Sequence, residues 1–130
     1  MSSRKRKVVV AEGAPKAIGP YSVAIRTENF IFASGSLGVD PATGEFAAGG
    51  VEGQTRQALK NLGEVLKAGG SSLEQVVKTT VFLQDMAEFT LMNAVYAEFF
   101  PKESPARSTV EVAALPKGAA VEIEAIALGD

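Results

Sequence analysis

The 130-residue chain has no cysteine and no histidine, which excludes disulfides, thiol nucleophiles, Ser-His triads and zinc sites built on Cys or His. Its 46% apolar residues suffice for one ordinary core, and no apolar run approaches the ~20 residues of a membrane span. The net charge of −2 is uneven: Arg4, Lys5, Arg6 and Lys7 hold four of the 13 basic residues, leaving 9 positive against 15 negative charges, a poor platform for nucleic-acid phosphates.

Residues 1–13 read as a basic N-terminal segment leading into a first strand, and 14–130 as a single domain. The basic run lacks the charged-then-apolar order of a secretory signal, so the expected compartment is the cytoplasm, with a mitochondrial address left open. Lys7-Val8-Val9-Val10 is β-prone, and Gly13 with Pro15 ends it. The turn Gly19-Pro20-Tyr21-Ser22 delivers Tyr21 into a second strand, Ser22 to Arg26. Thr27-Glu28-Asn29 then links it to a third, Phe30 to Ser34, close enough for an antiparallel hairpin. Gly35-Ser36-Leu37-Gly38 and the turn Asp40-Pro41-Ala42-Thr43-Gly44 follow, without a phosphate-loop signature.

From about Val51 to Ala68 the apolar period changes from 2 to 3.6. Ala58, Leu59, Leu62, Val65 and Leu66 form one stripe, so this is an amphipathic helix, and Gly69-Gly70 ends it through a left-handed residue. Gly63, inside it, suggests close packing at that point. Val76 to Leu83 is a β-branched strand. Asp85-Met86-Ala87-Glu88 has capping-box spacing, opening a second helix whose Phe89, Met92, Tyr96 and Phe99 read as core and which Pro101 stops.

The last stretch reads as two strands joined by the turn Leu115-Pro116-Lys117-Gly118. Arg107, Thr109 and Glu111 alternate on one face of the first. In the second, Val121, Ile123, Ala125 and Ala127 share one face while Glu122 and Glu124 open the other. A hairpin-like unit of this kind would present an arginine and one or two carboxylates to the same side. Two readings are open at this point: solvated, cross-strand paired residues, or an arginine that forks onto a carboxylate ligand beside a glutamate that handles a proton or a water.

The element order is βββαβαββ, an α+β class with a mixed sheet and both helices on one face. Apolar residues on the remaining face imply self-association.

Several blocks spread along the chain carry a resemblance: Gly19-Pro20-Tyr21-Ser22, Ala33-Ser34-Gly35, Val77-Lys78-Thr79-Thr80-Val81-Phe82-Leu83, Met92-Asn93-Ala94-Val95-Tyr96, Pro105-Ala106-Arg107-Ser108 and Val121-Glu122-Ile123-Glu124-Ala125-Ile126-Ala127. From about Ala14 to Leu128 the sequence resembles the RidA/YjgF family of reactive intermediate, or 2-iminobutanoate/2-iminopropanoate, deaminases. That resemblance implies a chorismate-mutase-like fold assembling as a homotrimer with clefts between subunits. It implies cofactor-independent hydrolysis of enamines and imines such as 2-aminoacrylate to 2-keto acids and ammonia. By the same resemblance Arg107 holds the substrate carboxylate and Glu122 orients or activates water, with Glu124 the competing carboxylate. Tyr21, Ser34, Gly35, Asn93 and Thr109 would line the cleft. Thr109 stands where many members have cysteine. The rival readings are a small-carboxylic-acid binding or regulatory module using the same cleft and, with less support from an acidic body lacking histidine, an endoribonuclease or translation inhibitor. No membrane partner is expected, and nucleic acid is disfavoured.

Overall fold

Period-2 runs of β-branched and small residues build six strands, and two amphipathic segments cover one side of the sheet they form. The structure is a computed structural model and describes residues 5–129; Arg4, the first residue of the basic run, lies outside them. In chain order the elements are β1 (Lys7–Val9), β2 (Ala24–Arg26), β3 (Phe30–Leu37), α1 (Gly50–Ala68), β4 (Val76–Leu83), α2 (Phe89–Phe99), β5 (Ala106–Glu111) and β6 (Val121–Leu128). This is the expected βββαβαββ order.

The strands form one mixed sheet in the order β1-β2-β3-β6-β4-β5. β1, β2 and β3 are antiparallel neighbours, β6 lies antiparallel between β3 and β4, and β5 runs parallel to β4 at the edge. A parallel neighbour needs a crossover, and α2 supplies it. Alternation decides which face meets the helices. Val81 and Leu83 on β4 and Val121, Ile123 and Ala127 on β6 are wholly buried against Leu59, Leu62 and Leu66 of α1 and Met92 of α2. The opposite face holds Phe30, Phe32 and Leu128, each more than a third exposed. That apolar, uncovered face is what the alternation predicts.

Helix α1 ends as expected. Gly70 takes φ +89°, and the Ser71 and Gly70 amides donate to the Leu66 and Lys67 carbonyls, closing a Schellman motif. The predicted capping box appears in part: Asp85 accepts from the Ala87 amide at 2.9 Å and opens a single 3₁₀ turn before α2 begins at Phe89.

Three expectations are corrected. First, β5 and β6 are not a hairpin, because β4 lies between them. Residues 112–120 instead strap the end of β4. The Val112 amide donates to the Leu83 carbonyl, the Gln84 amide to the Ala120 carbonyl, and the Gln84 side chain to the Ala113 carbonyl. Second, β3 does not stop at Ser34. It continues to Leu37 through a register shift between Ala33 and Ser36, so Gly35 belongs to a bulge inside the strand. Third, Gly63 is not tightly packed, since a Cβ there would meet the Leu73 side chain at an ordinary 3.5 Å.

Candidate active site

The register across the sheet decides which predicted site residues can meet. Arg107 is opposite Thr79 on β4, on the helix-covered face, whereas Glu122 is opposite Phe82, three residues further along β4 and therefore on the other face. Strand geometry puts the two about 10 Å apart along the sheet and about 10 Å across it. One chain cannot bring Arg107 and Glu122 to a shared ligand. The predicted single-sided unit is thus divided into two candidate half-sites on opposite faces, a consequence of β4 sitting between β5 and β6.

The first half-site is built on β2, β3 and β6. Tyr21, Ser34 and Gly35 line a solvent-open cleft of about 570 Å³ whose wall also includes Val23, Asn61 and Lys117. Ser34 is tied to the preceding strand twice: its amide donates to the Val23 carbonyl at 2.9 Å and its hydroxyl to the Ser22 carbonyl at 2.6 Å. This holds the bulge and spends the hydroxyl's proton, leaving its lone pairs for a ligand. Asn61, buried on α1, donates to the Leu37 and Val39 carbonyls at 3.0 and 2.8 Å and fixes the exit of β3. Sequence reading did not single out Asn61; a polar residue interrupting the apolar stripe of α1 was the available signal.

Gly35 and Glu122 are in direct register of need. A Cβ built on Gly35 would lie 2.6 Å from the Glu122 Cδ and 2.7 Å from its Cγ, and would overlap a carboxylate oxygen. The carboxylate therefore rests in the space where a side chain would be. Burial pushes the Glu122 carboxyl above its ordinary range, and the neighbouring charge of Glu124 pushes it further the same way. Glu124 itself is exposed on the same strand face.

The second half-site is built on β5 and α2. Arg107 lies with its guanidinium carbon 4.7 Å from the centre of the Tyr96 ring and 5.5 Å from that of Phe89. Asn93 falls between these two aromatics on the same stripe of α2, at the i, i+4, i+7 spacing of one helix face. Thr109, two residues beyond Arg107, shares its face of β5, and its hydroxyl is buried with no hydrogen-bond partner among the described residues. Phe89 and Tyr96 read in the sequence only as core. Their seven-residue spacing, on the helix that delivers the arginine strand, is the signal of a second role.

The half-sites differ in access. Arg107 and Thr109 sit on the edge strand, both part-buried on its helix-covered face, while the strand's outer backbone edge is unpaired among the described residues. Glu122 is central in the sheet, half-buried, and reached from the uncovered face.

Among known families, the model described as Endoribonuclease L-PSP matches residues 11–129 of the chain. The chain is 56% identical over 126 residues to the chloroplastic Reactive Intermediate Deaminase A of Arabidopsis thaliana, covering 97% of this chain and 67% of that protein. It is 52% identical over 128 residues to the 2-iminobutanoate/2-iminopropanoate deaminase of Mus musculus, covering 98% and 95%. A crystal structure of E. coli TdcF with bound serine superposes with a TM-score of 0.91 at 40% identity, covering 95% of this chain and 99% of that one.

Proposed function

We propose, because this chain belongs to the RidA/YjgF family, that it is a 2-iminobutanoate/2-iminopropanoate deaminase whose active site is completed between two copies of the chain. The observation that carries the second part is the placement of Arg107 and Glu122 on opposite faces of one sheet. The exposed apolar face and the open edge strand support an assembly in which each cleft takes Arg107 and Thr109 from one subunit and Glu122, Gly35, Ser34 and Tyr21 from its neighbour. A homotrimer satisfies this with three equivalent sites.

In this reading the substrate is a 2-imino acid. Arg107 grips its carboxylate through a planar fork, with Thr109 beside it on the same face of β5. A related protein crystallised with serine, which carries the same carboxylate, supports an acid-binding cleft. Glu122 takes a proton from the attacking water as oxygen bonds to the imine carbon, and the C=N bond becomes a C–N single bond. That proton goes to nitrogen to give the carbinolamine, and the remaining hydroxyl proton follows through the same carboxylate as the C=O forms and ammonia leaves, so one water is consumed and no electrons change hands. A carboxyl raised by burial toward neutral pH suits both steps better than an ordinary one. An enamine such as 2-aminoacrylate enters the route after tautomerising to the imine. A nuclease reading has less support from these residues: the chain has no histidine, and the cleft carries two lysines, Lys16 and Lys117, without a stacking tryptophan in the chain. No helix among the described residues is long and apolar enough to cross a membrane. A cytoplasmic location remains part of the proposal.

The test generates 2-aminoacrylate in situ with a dehydratase and follows keto-acid release with wild type, Arg107→Ala and Glu122→Gln, each checked for assembly. Wild type accelerates release and both variants lose the effect. The two inactive variants are then unfolded and refolded together in equal amounts. Random trimers restore both intact residues in about a quarter of the sites, so activity returns. Two variants that stay inactive when co-assembled would place Arg107 and Glu122 in one chain's site and overturn the shared cleft. An assembled wild type without acceleration would leave a small-acid binding module.

A further inference from the structure

Arg107 is held in an unusual way for a functional arginine. Among the described residues its guanidinium takes part in no hydrogen bond and no ion pair, yet it is only half-exposed and lies against two rings. All five N–H donors are therefore unspent among the described residues, while two rings lie within 5.5 Å of the guanidinium carbon. The nearer ring is itself fixed. Tyr96 is buried, packs on Phe100 with ring centres 4.7 Å apart, and bonds through its hydroxyl to Thr79 Oγ1 at 2.7 Å. Thr79 is wholly buried and is the residue directly opposite Arg107 in the β4–β5 ladder. The ring under the guanidinium is thus pinned to the same rung of the sheet that carries the arginine.

We propose that the Phe89–Tyr96 pair, locked by the Tyr96–Thr79 bond, is a positioning shelf that fixes the plane of Arg107 and so selects planar carboxylate ligands. The inference rests on the carboxylate-gripping role given to Arg107 above and names the residues that give that grip its geometry. Rings suit this task because they attract the cation without consuming a donor, whereas a carboxylate placed to orient Arg107 would compete with the substrate. The shelf acts on binding and not on the proton transfer at Glu122. Its loss raises KM and the inhibition constant of a carboxylate product, and kcat follows less.

The experiment compares Tyr96→Leu, Phe89→Leu, Tyr96→Phe and Arg107→Lys with wild type, and takes Arg107→Ala as the reference for losing the grip. The readouts are KM, kcat and the inhibition constants of 2-oxobutanoate and of its uncharged amide, on protein verified as assembled. Tyr96→Leu and Phe89→Leu each weaken 2-oxobutanoate by about fivefold to thirtyfold and leave the amide unchanged. Tyr96→Phe, which keeps the ring, restores most of the binding. Arg107→Lys, which keeps the charge but has no plane to stack, behaves like the leucine variants. Should Tyr96→Leu fail to assemble, the half-buried Phe89 and the lysine variant still decide the matter. Carboxylate binding as tight as wild type in Phe89→Leu or Arg107→Lys, with Arg107→Ala still deficient, overturns the shelf and leaves the proposed function standing. Undiminished carboxylate binding in Arg107→Ala overturns both.

Discussion

The two half-sites hold their charged groups by opposite means. On β3 and β6 the Glu122 carboxylate is packed into the space that Gly35 leaves, half-buried, beside a second carboxylate. On β5 and α2 the Arg107 guanidinium lies against rings, with no hydrogen bond or ion pair among the described residues. The difference follows from what each group is proposed to do. A proton carrier must have its affinity tuned, and burial with a like charge does that. A carboxylate clamp must have its plane fixed and its donors unspent, and aromatic faces do that. A sheet can offer a tight bulge in its middle and a helix-backed edge at its rim, but not both at one point, and this separation is what the proposed sharing of each cleft between two chains answers.

The comparison breaks most visibly at Arg107. Charge-assisted bonds contribute about 1.5–3 kcal/mol each, so losing a bidentate pair in Arg107→Ala lowers kcat/KM by about 10²- to 10⁴-fold, measured as keto-acid release from in situ 2-aminoacrylate. On the other half, Gly35→Ala strikes without touching a charge. The Cβ meets the Glu122 carboxylate together with its Cδ and Cγ, so the side chain must turn from its root and the carboxylate leaves its place. The variant assembles, and kcat falls tenfold or more, toward the ~10²-fold that a positioned proton carrier supplies. Glu124→Gln separates the two carboxylates. Removing the neighbouring anion lowers the Glu122 carboxyl toward its usual range, so the acid limb of the kcat/KM profile moves to lower pH with activity retained. Loss of activity in Glu124→Gln would instead make Glu124 the proton carrier. Gly63→Ala is the counterpart of Gly35→Ala: with only an ordinary 3.5 Å contact to Leu73 it raises stability by about 0.5–1 kcal/mol in chemical denaturation and leaves activity alone.

Those two glycines also mark what the sequence could and could not disclose. Element order, the α1 stripe and its Gly70 ending, and the face on which Glu122 and Glu124 stand were all legible, because each depends on local periodicity or on one residue's backbone freedom. Whether Arg107 shares that face was not. Alternation fixes the phase within a strand, but the phase between β5 and β6 depends on β4, a partner more than twenty residues distant in sequence from either end of the question. One local signal did exist: residues 112–120 form a longer connection than the two to five residues of an ordinary hairpin loop. Gly35 and Gly63 look alike as letters. Only the third dimension shows that a carboxylate occupies the space beside one and that nothing requires the other.

The smallest expected effect tests whether the acidic half pays in stability for its tuning. Glu122's carboxyl is raised in the folded chain above its unfolded value. Its contribution is therefore fully present below the unfolded range, about pH 4, and is lost as pH rises through the folded value. At neutral pH the ionised carboxylate is a burden on the fold, so Glu122→Gln unfolds at a higher temperature than wild type at pH 7, and the difference closes by pH 4. The gain stays well below about 1 kcal/mol, because the group is half-exposed and solvent screens it. Thermal melts of the two proteins across pH 4–8 measure it directly. If Glu122→Gln is instead less stable at pH 7, the carboxylate in the assembly accepts bonds that one chain cannot provide. That result would locate its partner on the neighbouring copy and sharpen the division of the cleft into two halves.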